Sequence, residues 1–131
     1  MIPQFLAAGA IALLAAAIHG GVGEALVVRP LVAGELPSSR FGGPHATRAM
    51  IRVTWHIATL TFAVLGLALA TCGFLGPGEG CRGIGFVAAS SFTGFVVLAI
   101  VVVLQRPRRL VRHPGPLAFV AVAALAWWGT L

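Results

Sequence analysis

At 131 residues, with 59% hydrophobic and 9% charged side chains and a mean hydropathy of +1.00, the chain lies far from the soluble norm of about 25% charged residues. That balance excludes an ordinary soluble domain, and unbroken apolar runs such as Phe95 to Leu104 exclude a β-barrel, whose strands alternate over roughly 10 residues. The formal charge of +6 is carried by arginines that flank apolar stretches, where anionic headgroups and the insertion machinery read them, so it does not argue for nucleic acid.

With no water in the hydrocarbon core, backbone polar groups must pair within each segment, so the apolar stretches are predicted to be helices. The first covers residues 2–28 and ends at Arg29-Pro30. As a straight α-helix it would be about 40 Å long against a core of about 30 Å, so it must tilt, bend or protrude. Gly20, Gly21 and Gly23 are the expected place for a kink. Phe5 to Ala17 resembles the apolar part of a signal peptide, but the basic leader is absent, so the stretch is read as a span.

A connector follows, with Pro37-Ser38-Ser39 and Gly42-Gly43-Pro44 as breakers, before a second span over residues 47–75. Gly76-Pro77-Gly78-Glu79-Gly80 is a turn into a third span over residues 82–105. Arg106 to His113 is a basic loop broken by Pro107, and a fourth, short span covers residues 114–131, with Trp127-Trp128 in the headgroup belt. The expected fold class is an all-α membrane protein, an antiparallel four-helix transmembrane bundle in one domain.

Orientation follows from the arginines. Arg29, Arg40, Arg48, Arg52, Arg106, Arg108, Arg109 and Arg112 fall on one side and Arg82 alone on the other, so the two Arg-rich connectors are expected in the cytoplasm and both termini outside. Lys, Asp, Asn and Tyr are absent, and the Ala/Gly/Arg-heavy usage points to a GC-rich bacterial genome and hence to an inner (cytoplasmic) membrane.

Polar side chains inside spans are costly in lipid and therefore mark candidate sites. His19 lies ten residues from Arg29 and His56 eight from Arg48, which sets both imidazoles about 12–15 Å from the shared edge and lets them meet. Glu24 and Arg52 share a shallower depth, and an Arg–carboxylate fork satisfies both groups. Arg48, Arg52 and His56 recur every four residues, with His45 three before Arg48, so one helical face can carry them all. His19 stacks with Ala8, Ala12, Ala15, Ala16 and Gly23, and His56 with Thr59, Ala63, Gly66 and Ala70. Such small-residue stripes serve either close helix packing or the flat face of a cofactor.

Besides the binding or passage of a small polar or anionic ligand, two readings stand side by side. In one, His19 and His56 ligate haem b or a transition metal, with Arg52 and Glu24 completing a cofactor site in a redox or cofactor-handling protein. In the other, the cluster is structural, in a transporter-like or accessory membrane subunit with lipid, a second copy or a larger membrane complex outside. Trp55 is read as packing, His45 and His113 as solvated loop residues, and Ser90-x-x-x-Gly94 as a helix contact. With no Asp and no nucleophile elbow, a Ser-His-Asp relay and paired-carboxylate chemistry are excluded. Cys72 and Cys81, nine positions apart across the Gly/Pro turn, can reach the Cα separation of about 4.4–6.8 Å that a disulfide needs; two unpaired thiols are the alternative.

The segments His19-x-x-x-Gly23-Glu24, Arg29-Pro30-Leu31 and Arg48-x-x-x-Arg52-x-x-Trp55-His56-x-x-Thr59 resemble a family of small four-span bacterial integral membrane proteins. The likeness covers the first two spans and implies that fold and no activity. Gly20-Gly21 departs from it, standing where Ser and a bulkier residue are expected.

Overall fold

Pro3 opens α1 (Pro3–Ala17), a position where its missing N–H leaves no helical bond unmade. The computed structural model describes residues 1–38, 40, 42–105 and 115–131. The expectations for Ser39, Phe41 and the 106–114 loop with its four arginines and His113 fall outside that set. α1 continues without a break into a π-helix, Ile18–Val28, and the connector holds a single 3-10 turn, Ala33–Glu35. α2 (Pro44–Leu75), α3 (Glu79–Gln105) and α4 (Gly115–Thr130) complete the architecture, with no strand among the described residues.

Two helices begin earlier than the sequence predicts. α2 starts at Pro44 rather than residue 47, because proline with Gly43 as its cap initiates a helix as readily as it breaks one. α3 starts at Glu79 rather than residue 82, placing an acid in its first turn against the helix dipole. Gly76 ends α2 at φ +91°, a conformation that side-chain-bearing residues rarely adopt.

Three helices are long and apolar enough to cross a membrane: Pro3–Val28, Pro44–Leu75 and Glu79–Val102. α4 has 16 residues, about 24 Å at the helical rise, and is shorter than the roughly 30 Å core. Neighbouring helices run antiparallel. α1 is the central element, packed against α2 on one side and α4 on the other, while α3 lies chiefly on α4. α2 and α3, though consecutive, meet much less, and Cys72–Cys81 joins them as a disulfide with Cα atoms 5.3 Å apart.

The packing is inverted relative to a soluble bundle. No charged or polar residue is buried among the described residues, yet large apolar side chains such as Leu60, Val64, Leu67 and Leu98 are more than half exposed. A soluble monomer rarely shows so continuous an apolar exterior; in lipid it costs nothing. The interior uses small residues and phenylalanine. Ala8, Ala12 and Ala16 are buried on α1, and a Cβ on Gly9 would stand 2.7 Å from Gly66 O and Ala70 N, so the α1 and α2 backbones touch. Phe5 fills the space left by Gly85 and Gly129, and the rings of Phe62, Phe92, Phe95 and Phe119 form one aromatic core. Ile2 N–H donates to Gly73 O at 2.8 Å, tying the chain start to the disulfide end of α2.

The expected Ser90-x-x-x-Gly94 contact does not form. A Cβ on Gly94 would meet nothing within 4 Å, and α3 packs instead through Gly85, Ala88, Ala89 and Phe92. The hydroxyls of this region turn back on their own helix: Ser91 donates to Val87 O, and Thr93 donates to Ala89 O while accepting from Trp127 Nε1 at 3.2 Å.

Candidate functional site

The polar residues meet where the π-helix faces the first half of α2. In an α-helix, five residues turn the chain through about 500°, so His19 and Glu24 would point about 140° apart. A π-helix bonds each carbonyl to the N–H five residues on, as Glu24 O does with Arg29 N–H at 2.8 Å, so positions five apart come onto one face. The winding thus turns both His19 and Glu24 toward α2. It also shortens the first span somewhat, where the sequence predicts a kink.

On α2, Arg52, Trp55, His56 and Thr59 present themselves at the ordinary three- and four-residue spacing. His19 Nδ1 and Thr59 Oγ1 share a hydrogen bond of 2.8 Å, and Thr59 is itself held by Trp55 O at 3.2 Å. The His19 ring lies face to face on Trp55 with centroids 4.1 Å apart, and meets Phe62 edge-on at 5.3 Å. Trp55 Nε1 donates to His19 O at 2.9 Å, satisfying a carbonyl of the widened helix. Trp55, read from sequence as packing, is therefore the hub of this half of the site, recognisable only through its position beside His56.

One turn nearer the connector, Arg52 pairs with Glu24 Oε1 at 2.8 Å, as the depth match predicts. His56 Nε2 lies 3.4 Å from Glu24 Oε2, close enough for an ion pair but not aligned as a hydrogen bond, so this buried oxygen has no bonded partner. The Glu24 side chain is 18% exposed, against 62% for Arg52 and 43% for His56; the acid is covered while its two bases look outward. His19 is hydrogen-bonded to Thr59, and His56 lies against Glu24.

Glycine decides how close the helices come here. A Cβ on Gly20 would stand 2.7 Å from Thr59 Cγ2, and one on Gly23 only 2.5 Å from Trp55 Cζ2. Space too small for a methyl group holds no macrocycle at these two points, so Gly20 and Gly23 serve the close approach of the first span to α2. A cation on Glu24 would compete with the guanidinium already there, and no group of three or more His, Cys, Asp or Glu side chains converges on a metal position among the described residues.

α2 has 32 residues, about 48 Å, more than the roughly 30 Å of a hydrocarbon core, so it must tilt or protrude to cross one. Arg48, one turn before Arg52, donates to Arg29 O at 3.2 Å; His45 is exposed beyond it.

Beside the cluster, an open cleft of about 520 Å³ runs along α2, lined by His19, Thr47, Met50, Ile51, Thr54, Trp55 and Ala58, almost wholly through carbon. No known protein family, curated protein or solved structure matches the chain, so this geometry is the ground for assigning it a role.

Proposed function

We propose that the chain is a multi-pass protein of the bacterial inner membrane that acts without catalysis, as an accessory subunit or scaffold in which the Glu24 cluster holds α1 against α2. The observation that supports this is the placement of Glu24 between Arg52 and His56, on helices whose backbones already touch. In this reading the polar groups set helix register, since a slip by one turn would separate every one of these pairs. A second copy or a larger membrane complex covers the outward-facing bases.

The cofactor-handling reading keeps one observation in its favour. Glu24 Oε2 is buried without a hydrogen bond, and orphaned acceptors of this kind are often completed by a ligand. An absorption spectrum and metal analysis of the purified protein separate the two. The structural reading expects a colourless, metal-free preparation that loses stability when Glu24 is replaced. A Soret band or stoichiometric metal abolished by His19→Ala or His56→Ala would overturn it.

In the proposed orientation both termini and the Cys72–Cys81 hairpin lie outside, and the Arg-rich connectors lie in the cytoplasm. The arginine distribution supports this, and so does the disulfide, since such bonds persist in oxidising compartments. A reporter active only outside the cytoplasm should work when fused at Leu131 and fail at Arg108; the opposite pattern reverses the topology.

A further inference from the structure

We infer that the open cleft on α2 and the arginines at its mouth form a binding site for one anionic phospholipid. From Thr47 to Ala58 the cleft follows about 16 Å of helix, half the thickness of the hydrocarbon core and thus the depth of a single leaflet. Its volume of about 520 Å³ falls within the range of ligand sites, and its wall of Met50, Ile51, Trp55 and Ala58 suits an acyl chain. A water-soluble ligand would have no use for such a wall.

The mouth supplies the charge. Arg48 stands between Thr47 and Ile51, both cleft residues, and its hydrogen bond to Arg29 O brings the end of the first span alongside. Arg52 is one turn further in and is already paired to Glu24. In a bilayer whose headgroup level lies at Arg48 and Arg29, a phosphate can sit there while its acyl chain enters the cleft. A neutral lipid would fill the same cleft without that attraction. The site does not depend on which side of the membrane the arginines face, nor on whether the Glu24 cluster is structural.

The test uses Trp55 as the reporter, in full-length protein carrying Trp127→Phe and Trp128→Phe. The protein is reconstituted in phosphatidylcholine vesicles containing a small fraction of brominated-chain phosphatidylglycerol or, in parallel, brominated-chain phosphatidylcholine. Quenching of Trp55 should favour phosphatidylglycerol, and the preference should fall about fivefold for each arginine removed in Arg48→Gln and Arg29→Gln, while Arg82→Gln leaves it unchanged. Ala58→Phe, which fills the cleft, should reduce quenching by both lipids with helicity and the Cys72–Cys81 bond retained. Equal quenching by the two lipids, or a preference that survives loss of both arginines, overturns the proposal. So does removal of the preference by millimolar inorganic phosphate, which would mark a free-anion site. Protection of Trp55 from both lipids would mean that protein covers the cleft, and would overturn it too.

Discussion

Phe5 and Glu24 sit on the same span, 19 positions apart, and are held in place by different physics. Around Phe5 the contact is carbon on carbon: Gly85 and Gly129 leave the hole, the ring fills it, and α1, α3 and α4 close together. Around Glu24 the contact is directional, and it exists only because the π winding turns the acid toward Arg52 and His56. In lipid the first kind of contact gains no hydrophobic energy between helices and rests on packing density. The second rests on orientation. The disulfide end should therefore respond to changes of volume, and the arginine end to changes of direction and charge.

The largest effect is expected at Phe5. Phe5→Ala leaves a cavity where three helices meet and should lower stability by about 3–5 kcal/mol, measured by SDS-driven unfolding in mild micelles followed by circular dichroism. A loss below about 1 kcal/mol would mean that the disulfide end is not governed by packing. Next comes the covalent tie. Cys72→Ser with Cys81→Ser should cost about 2–3 kcal/mol in the same assay, from the restored freedom of the short loop. Thiol labelling of the parent in isolated membranes should require prior reduction; labelling of both cysteines without it removes the bond from the account.

At the arginine end, Glu24→Gln should cost between the roughly 1 kcal/mol of an exposed pair and the 3–5 kcal/mol of a buried one, nearer the lower figure because Arg52 is largely exposed. Adding Arg52→Gln should recover part of that loss, since the second change removes the charge left unpaired; strictly additive losses would show that the two side chains do not interact. The smallest effect sharpens the contrast within the π-helix. Gly21→Ala meets open space and should change stability by no more than about 0.5 kcal/mol, whereas Gly23→Ala must displace the Trp55 ring and should cost about 1–3 kcal/mol, with a shift in Trp55 emission. Equal effects at the two glycines would place the helix contact elsewhere.

Much of this was legible in the residues. Hydropathy and chain-breaking Gly and Pro marked the helices, because a backbone in lipid has few alternatives and apolar length is visible in one dimension. The Glu24–Arg52 pair was found from matched depth, and Cys72–Cys81 from a short Gly/Pro turn, since both depend mainly on distance along the chain. The helix starts at Pro44 and Glu79 were missed by three residues each, because proline and glycine next to a span serve as caps as well as breakers.

The sequence by itself determined that this is an all-α chain of long apolar helices, with eight of its nine arginines on or beside the first and third connectors. It could not say how closely the first span approaches α2, or which ring nitrogen meets which partner. Those were decided by tertiary structure, through the wider π winding that sets His19, Gly23 and Glu24 against α2 and through the approach of Gly20 and Gly23 to Thr59 and Trp55. The physical reason lies in how each quantity accumulates. Depth adds up residue by residue along a helix, whereas facing depends on the turn per residue, which the partner helix fixes by rewarding the winding that brings polar groups together.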